Sequence, residues 1–146
     1  MKKRLLILFC LLLIFSCKST QITKTEVAKL AESSKSWDGN NLPNYPTDAP
    51  KITILKYTIP PKTKLKIHKH LIINAGVLIK GELTVVDEFN NTLLLKEGDA
   101  LIELVNTFHY GENKSNEPAE IIVFYAGDAE TPLTVIKADS NIESNH

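Results

Sequence analysis

The chain has 146 residues, with 17 basic and 17 acidic side chains, four histidines and two cysteines. This balance, with no basic block beyond the first few residues, argues against a nucleic-acid partner and against a polybasic membrane binder. One cysteine is left once a leader is removed, so an internal disulfide framework is excluded, and the remainder suits one domain with a real core and hardly two.

Residues 1–16, MKKRLLILFCLLLIFS, carry three positive charges and then an unbroken apolar run from Leu5 to Phe15. That run is too short to span a bilayer and has the size of a secretory signal core. Ile14-Phe15-Ser16 before Cys17 resembles the bacterial lipobox, in which the cysteine is acylated and becomes the new N-terminus. The alternative is ordinary signal cleavage with a cysteine there by chance. The lipobox resemblance implies a membrane partner through lipidated Cys17 and a domain held at the cell envelope outside the cytoplasm. Lys18 favours the outer membrane where the envelope has two.

Residues 17–36 form a polar leash. Val27, Leu30 and Ala31 share one face of a possible short helix, while an edge strand near Lys29–Ser34 fits equally well. Trp37-Asp38-Gly39 opens an irregular stretch punctuated by Pro43, Pro46 and Pro50. Trp37 and Tyr45 are its large apolar side chains, placed either to pin a loop to the core or to line a pocket.

From Lys51 onward, β-rich runs cover about 51–59, 64–69, 73–80, 82–88, 92–96, 100–105, 119–126 and 132–137. Pro60-Pro61, Gly81, Asn90-Asn91, Gly98-Asp99, Asn113–Pro118 and Gly127-Asp128 separate them. Short strands at near-regular spacing without a convincing helix predict an all-β sandwich or barrel over 37–137. The run 119–126, AEIIVFYA, is apolar at consecutive positions and belongs between neighbours in a sheet. Residues 138–146 form a polar tail, in which His146 has no evident role.

His68 and His70 flank Lys69 in a strand, so a period of two points both imidazoles to one face. Two such rings can reach one cation, although an isolated HxH is weak evidence. His109 follows 39 residues later, where a barrel would bring it opposite the pair. The plain alternative is three hydrogen-bonded or surface histidines with no ion.

These residues resemble the cupins. The first cupin motif is G-x5-HxH-x3,4-E-x6-G, and here His68-Lys69-His70 is followed by three residues, Asn74, six residues and Gly81. The second is G-x5-PxG-x2-H-x3-N, and here Gly98, Leu104-Val105-Asn106, His109 and Asn113 stand at the matching positions. The resemblance covers about residues 51–137. It implies a small antiparallel β-barrel of jelly-roll type, with one divalent transition metal inside an open end. His68, His70 and His109 would be its ligands, and Asn74 a tentative fourth position.

Four positions depart from the motifs. Pro60, Pro61 and Lys62 occupy the region of the opening glycine, and Leu104 and Asn106 replace a proline and a glycine. Asn74 stands where cupins usually carry glutamate; it is open to binding the metal weakly, orienting a water or bonding to the backbone. An amide cancels no charge, so a metal there keeps about +2 and favours an anionic or chelating small-molecule ligand. Nitrogen-rich ligation suits Zn, Ni, Cu or Fe, Mn is tolerated by the family, and Ca and Mg are disfavoured.

Other polar residues complete the candidate set. Glu103, facing inward, would serve as catalytic acid or base or as a replacement carboxylate; facing outward it is a solvated side chain. Lys64 and Lys66 share parity with the histidines, which makes Lys66 a candidate for the substrate pocket unless a bulge resets the register. Tyr110 is a weaker pocket candidate, because strand neighbours alternate and it follows His109. Asn113 fits the motif but more often closes a turn. Two functions stay open: a metal-dependent oxygenase, isomerase or lyase acting on an enol, diketone, phenolic or sugar-acid compound, and a non-catalytic envelope binding protein for a sugar or small acid. The family resemblance also implies a homodimer.

Overall fold

Burial alternates along Ala119–Asp128, the strand β9: Ala119, Ile121, Val123, Tyr125 and Gly127 are buried, while Ile122 and Phe124 face outward. The run that is apolar at consecutive positions therefore feeds two faces, as a central strand must. Its neighbours are β1 (Pro50–Ile59) and β4 (Ile73–Lys80), and β7 (Ala100–Ile102) completes a sheet in the order β1-β9-β4-β7. The protein is seen here as a computed structural model, and the structure describes residues 24–47 and 49–138. The expected signal peptide over 1–16, lipidation at Cys17, the first part of the leash and the end of the tail with His146 lie outside the described residues.

The second sheet has six strands. Its main path runs β10 (Val135–Ile136), β3 (His68–Lys69), β8 (His109–Asn113), β5 (Glu82–Asp87) and β6 (Thr92–Lys96), and β2 (Thr63–Lys64) also pairs with β8. All pairings between named strands are antiparallel. Between the sheets lies the core, built around Leu78, Leu83, Val85, Leu95, Ile121 and Tyr125. No helix occurs among the described residues, and the architecture is the expected all-β jelly-roll barrel.

Several local expectations are corrected. The run 64–69 is not one strand but two short pieces, β2 and β3, with 65–67 outside either. β8 was absent from the β-rich runs, because His-Tyr-Gly-Glu-Asn has little β propensity. Its burial nevertheless alternates, with His109, Gly111 and Asn113 inward. No helix or strand runs through 24–34; the segment is exposed and leads into a loop closed by the Lys35–Asn41 bridge and by the Leu42 N–H on the Ser34 oxygen. Tyr45 is largely exposed and pins nothing, whereas Trp37 packs against the core.

Two turns show how the chain meets the demands of the motif. Gly81 links β4 to β5 with φ +79, and a Cβ there would lie 2.8 Å from the Pro118 carbonyl oxygen. Lys62, six residues before His68, has φ 54, a left-handed conformation that glycine adopts at least cost. Lys62 is held there by its N–H on the Ser115 oxygen and its Nζ on the Lys114 oxygen.

Candidate metal centre

The barrel brings the three histidines together from two stretches of chain. His68 on β3 pairs directly with His109 on β8, and His70 continues from β3 into a parallel bridge with Val105. The ring centroids of His68 and His109 are 4.6 Å apart, and the His70 ring lies 5.1 Å from each. One ring nitrogen from each residue falls within 4.8 Å of the other two. His70 and His109 are buried, at 4% and 2% exposure, and His68 is half-buried.

The other ring nitrogens are already committed. Nδ1 of His68 lies 2.7 Å from the Lys66 oxygen, Nδ1 of His70 2.8 Å from the Leu133 oxygen, and Nδ1 of His109 2.9 Å from the Thr107 oxygen. A carbonyl only accepts, so each Nδ1 carries the proton and each Nε2 presents a lone pair. Such carbonyl partners fix both tautomer and ring orientation, as metal-ligating histidines require. Burial pushes the His70 imidazole down to about 4 and lowers His68 as well; the Leu133 and Lys66 carbonyls oppose the shift, and the neighbouring histidines add to it. His68 and His70 are thereby held in the neutral form, the ligating one.

Two buried atoms in this region lack a hydrogen-bond partner: His109 Nε2 and Asn74 Oδ1. Leaving such an acceptor unpaired costs about 1–3 kcal/mol, and a cation accepted by the lone pairs removes that cost. The donor set thus fits a transition metal. Asn74 is 1% exposed and its Nδ2 donates to the Ile72 oxygen at 3.3 Å, so backbone bonding uses only half of its amide.

Glu103 faces inward. Its Oε1 accepts the Leu104 N–H at 2.9 Å and the Trp37 indole N–H at 3.1 Å, and lies 3.8 Å from His109 Nε2. That last distance is too long for a hydrogen bond. Glu103 continues from β7 with the same parity as buried Leu101, and its N–H bonds the Asn74 oxygen at 3.0 Å.

A cavity of about 310 Å³ joins these groups, with all three histidines, Asn74 and Glu103 in its wall. Lys66 also lines it, from an exposed position. Leu65 and Lys66 both reach it because the strand is broken at this point, so strict parity does not apply. Lys64 does not follow parity inward: its Nζ sits 3.7 Å over the Tyr110 ring. Tyr110 is therefore corrected as a pocket residue; it alternates away from His109 and does not line the cavity. Asn113 closes a turn: its Nδ2 donates to the Ile59, Pro60 and Glu117 oxygens and its Oδ1 accepts from Ser115. Asn106, at the motif's glycine position, takes φ 62, which asparagine tolerates better than most residues.

Sequence reasoning missed two lining residues, Tyr57 and Tyr125, whose hydroxyls are 3.1 Å apart. Tyr125 shares strand parity with Ile121 and Val123, so its inward direction was legible; its hydroxyl partner on β1 was not. Burial, reinforced by Tyr57, pushes the Tyr125 phenol well above the usual range, so it stays protonated.

A sequence profile described as the cupin domain matches residues 55–125. Over those residues the chain is similar to the cupin domain. No curated protein matches it, but solved structures share the fold. DMSP lyase DddQ from Ruegeria pomeroyi DSS-3 is similar at 20% identity and a TM-score of 0.53, over 59% of this chain and 43% of that one. A mutant oxalate decarboxylase OxdC from Bacillus subtilis is similar at 20% identity and 0.51, over 58% of this chain and 23% of that one. The polyketide cyclase RemF from Streptomyces resistomycificus gives 14% and 0.52, over 65% and 66%. The match thus spans less than half of the lyase and about a quarter of the decarboxylase.

Proposed function

We propose that the cupin-like domain holds one divalent transition metal on His68, His70 and His109 and is a metal-dependent enzyme acting on a compact, oxygen-bearing anion. Oxygenase, isomerase or lyase chemistry on an enol, diketone, phenol or sugar acid fits this reading. The observation that carries it is the bare lone pair of buried His109 Nε2, with the Glu103 carboxylate 3.8 Å away in one cavity. A metal here, Zn, Ni, Cu, Fe or Mn, supplies Lewis-acid polarisation of ligand oxygens.

The residues around it divide the remaining work. Three neutral imidazoles leave the ion's charge intact and Glu103 offsets only part of it, so the centre keeps net positive charge. Lys66 at the wall adds to that field and favours an anion. Tyr125, held protonated, donates a hydrogen bond to a ligand oxygen. Glu103 Oε1 is restrained by two N–H donors, and no protein partner occupies Oε2 among the described residues, which leaves it to take a proton from a bound ligand. Aliphatic side chains such as Ile59, Leu83, Val85 and Ile121 make the remaining wall apolar. Relatives of the same fold named as an oxalate decarboxylase and a DMSP lyase support a small oxygen-bearing ligand.

The inward carboxylate favours catalysis over mere capture. The decisive measurement is elemental analysis of protein purified without a histidine tag. Near-stoichiometric metal is expected in the native protein, and its loss in His68→Ala and His109→Ala. Negligible native content, or content unchanged in both variants, refutes the assignment.

The reading also places the protein at the cell envelope, on a lipidated Cys17, on the strength of the charged start, apolar run and Ser-Cys junction. One edge of β1 has no strand partner among the described residues, which leaves an edge on which a second copy could pair to form a homodimer.

A further inference from the structure

Trp37 is the only tryptophan of the chain, and it lies before the barrel's first strand. The loop that carries it is closed on itself: Ser36 N–H bonds the Asn40 oxygen, Gly39 N–H the Ser36 oxygen, and Leu42 N–H the Ser34 oxygen. The loop is fastened to the barrel twice. Trp37 N–H donates to the Ile102 oxygen at 3.0 Å, and the indole N–H donates to Glu103 Oε1 at 3.1 Å. Glu103 is the only carboxylate in the cavity wall among the described residues.

We infer that Trp37 is a positioning residue: its indole N–H pins Glu103 Oε1 beside His109, so the 34–42 loop sets the orientation of the site's carboxylate. The inference rests on the metal reading above. Two observations carry it beyond simple packing. The indole nitrogen is spent on this carboxylate and on no other acceptor, 66 residues away in sequence. The same oxygen also takes the Leu104 N–H at 2.9 Å, and two donors converging on one oxygen fix a carboxylate that one donor leaves free to swing. With Oε1 held 3.8 Å from His109 Nε2, the carboxylate presents its negative charge to the metal position. Without the indole, the Leu104 N–H alone restrains it, and its field at the site weakens. Outer hydrogen-bond partners of metal sites commonly change affinity by about 10–100-fold.

The test is a double-mutant cycle read as zinc affinity of the full chain, by competition with a chromophoric chelator, together with thermal melting. Trp37→Phe keeps an aromatic ring and removes the N–H; Glu103→Gln keeps the shape and removes the charge. Zinc binding is expected to weaken about 10-fold in each, and the double variant is expected to bind no more weakly than Glu103→Gln alone. A Trp37→Phe protein that binds zinc like the native chain, or two effects that multiply, overturns the inference. Should Trp37→Phe fail to fold, zinc titrated into the native protein and into Glu103→Gln is followed by Trp37 fluorescence. A zinc-dependent emission change present in the native protein and missing in Glu103→Gln supports the coupling; equal changes, or none in either, refute it. His109→Ala separates the two readings: if the native protein binds no more zinc than this variant, the metal assignment itself fails and the inference falls with it.

Discussion

Each histidine of the cluster spends Nδ1 on a main-chain carbonyl, and that one choice turns three rings into three directed lone pairs. The cost appears in acid. Burial lowers His70 to about 4 and lowers His68, whereas in the unfolded chain both titrate near the ordinary value of 6.5. As the pH falls below 6.5 the unfolded chain binds protons first, so the contribution of these histidines is fully present above 6.5 and is lost toward pH 4. For His70 the loss is roughly 3 kcal/mol across that window. Metal-free protein should therefore melt at progressively lower temperature between pH 6.5 and 4, and His70→Gln should flatten the slope. An equal slope in both proteins, measured by calorimetry, would refute the assignment of that slope to His70. The residue scale is also where reading from sequence succeeded most and failed most. The HxH pair and His109 are visible because the ligand types and their spacing are written in the chain. The indole bond to Glu103 is invisible, because nothing local links positions 37 and 103.

At the scale of elements, the barrel delivers its ligands through short, broken pieces. β3 has two residues and β2 another two, and the interruption between them brings Leu65 and Lys66 both to the cavity wall. Unbroken parity with the histidines would put Lys64 inward; it lies over Tyr110 instead, because the break at 65–67 resets the alternation between β2 and β3. β8 escaped notice for the opposite reason. Its glycine and polar residues carry low propensity, yet it sits between β3 and β5, and tertiary pairing overrides propensity. Turns were easier to read, since left-handed conformations demand particular residues. Gly81→Ala should cost about 1–3 kcal/mol, because it adds a Cβ at φ +79 and 2.8 Å from a carbonyl oxygen. Denaturant unfolding checks this, and a loss below about 0.5 kcal/mol would mean the turn relaxes freely.

Taken whole, the molecule pairs a barrel whose core lies between its sheets with an exposed segment leading back toward the proposed anchor. The tether and the site make separable demands. Cys17→Ser should move the protein from the membrane to the soluble fraction while its metal content stays native, as fractionation and elemental analysis would show. A variant that still sediments with membranes would exclude lipidation as the tether.

The sequence by itself determined the all-β class, the central place of 119–126, the main turns and the types of ligand, because alternation, turn chemistry and motif spacing are properties of neighbouring residues. Only the tertiary structure decided that Glu103 turns inward, that Tyr57 meets Tyr125 and that Trp37 reaches the site. Those outcomes depend on which strands become neighbours and where a ladder breaks, and contacts between distant segments are set by packing of the whole chain.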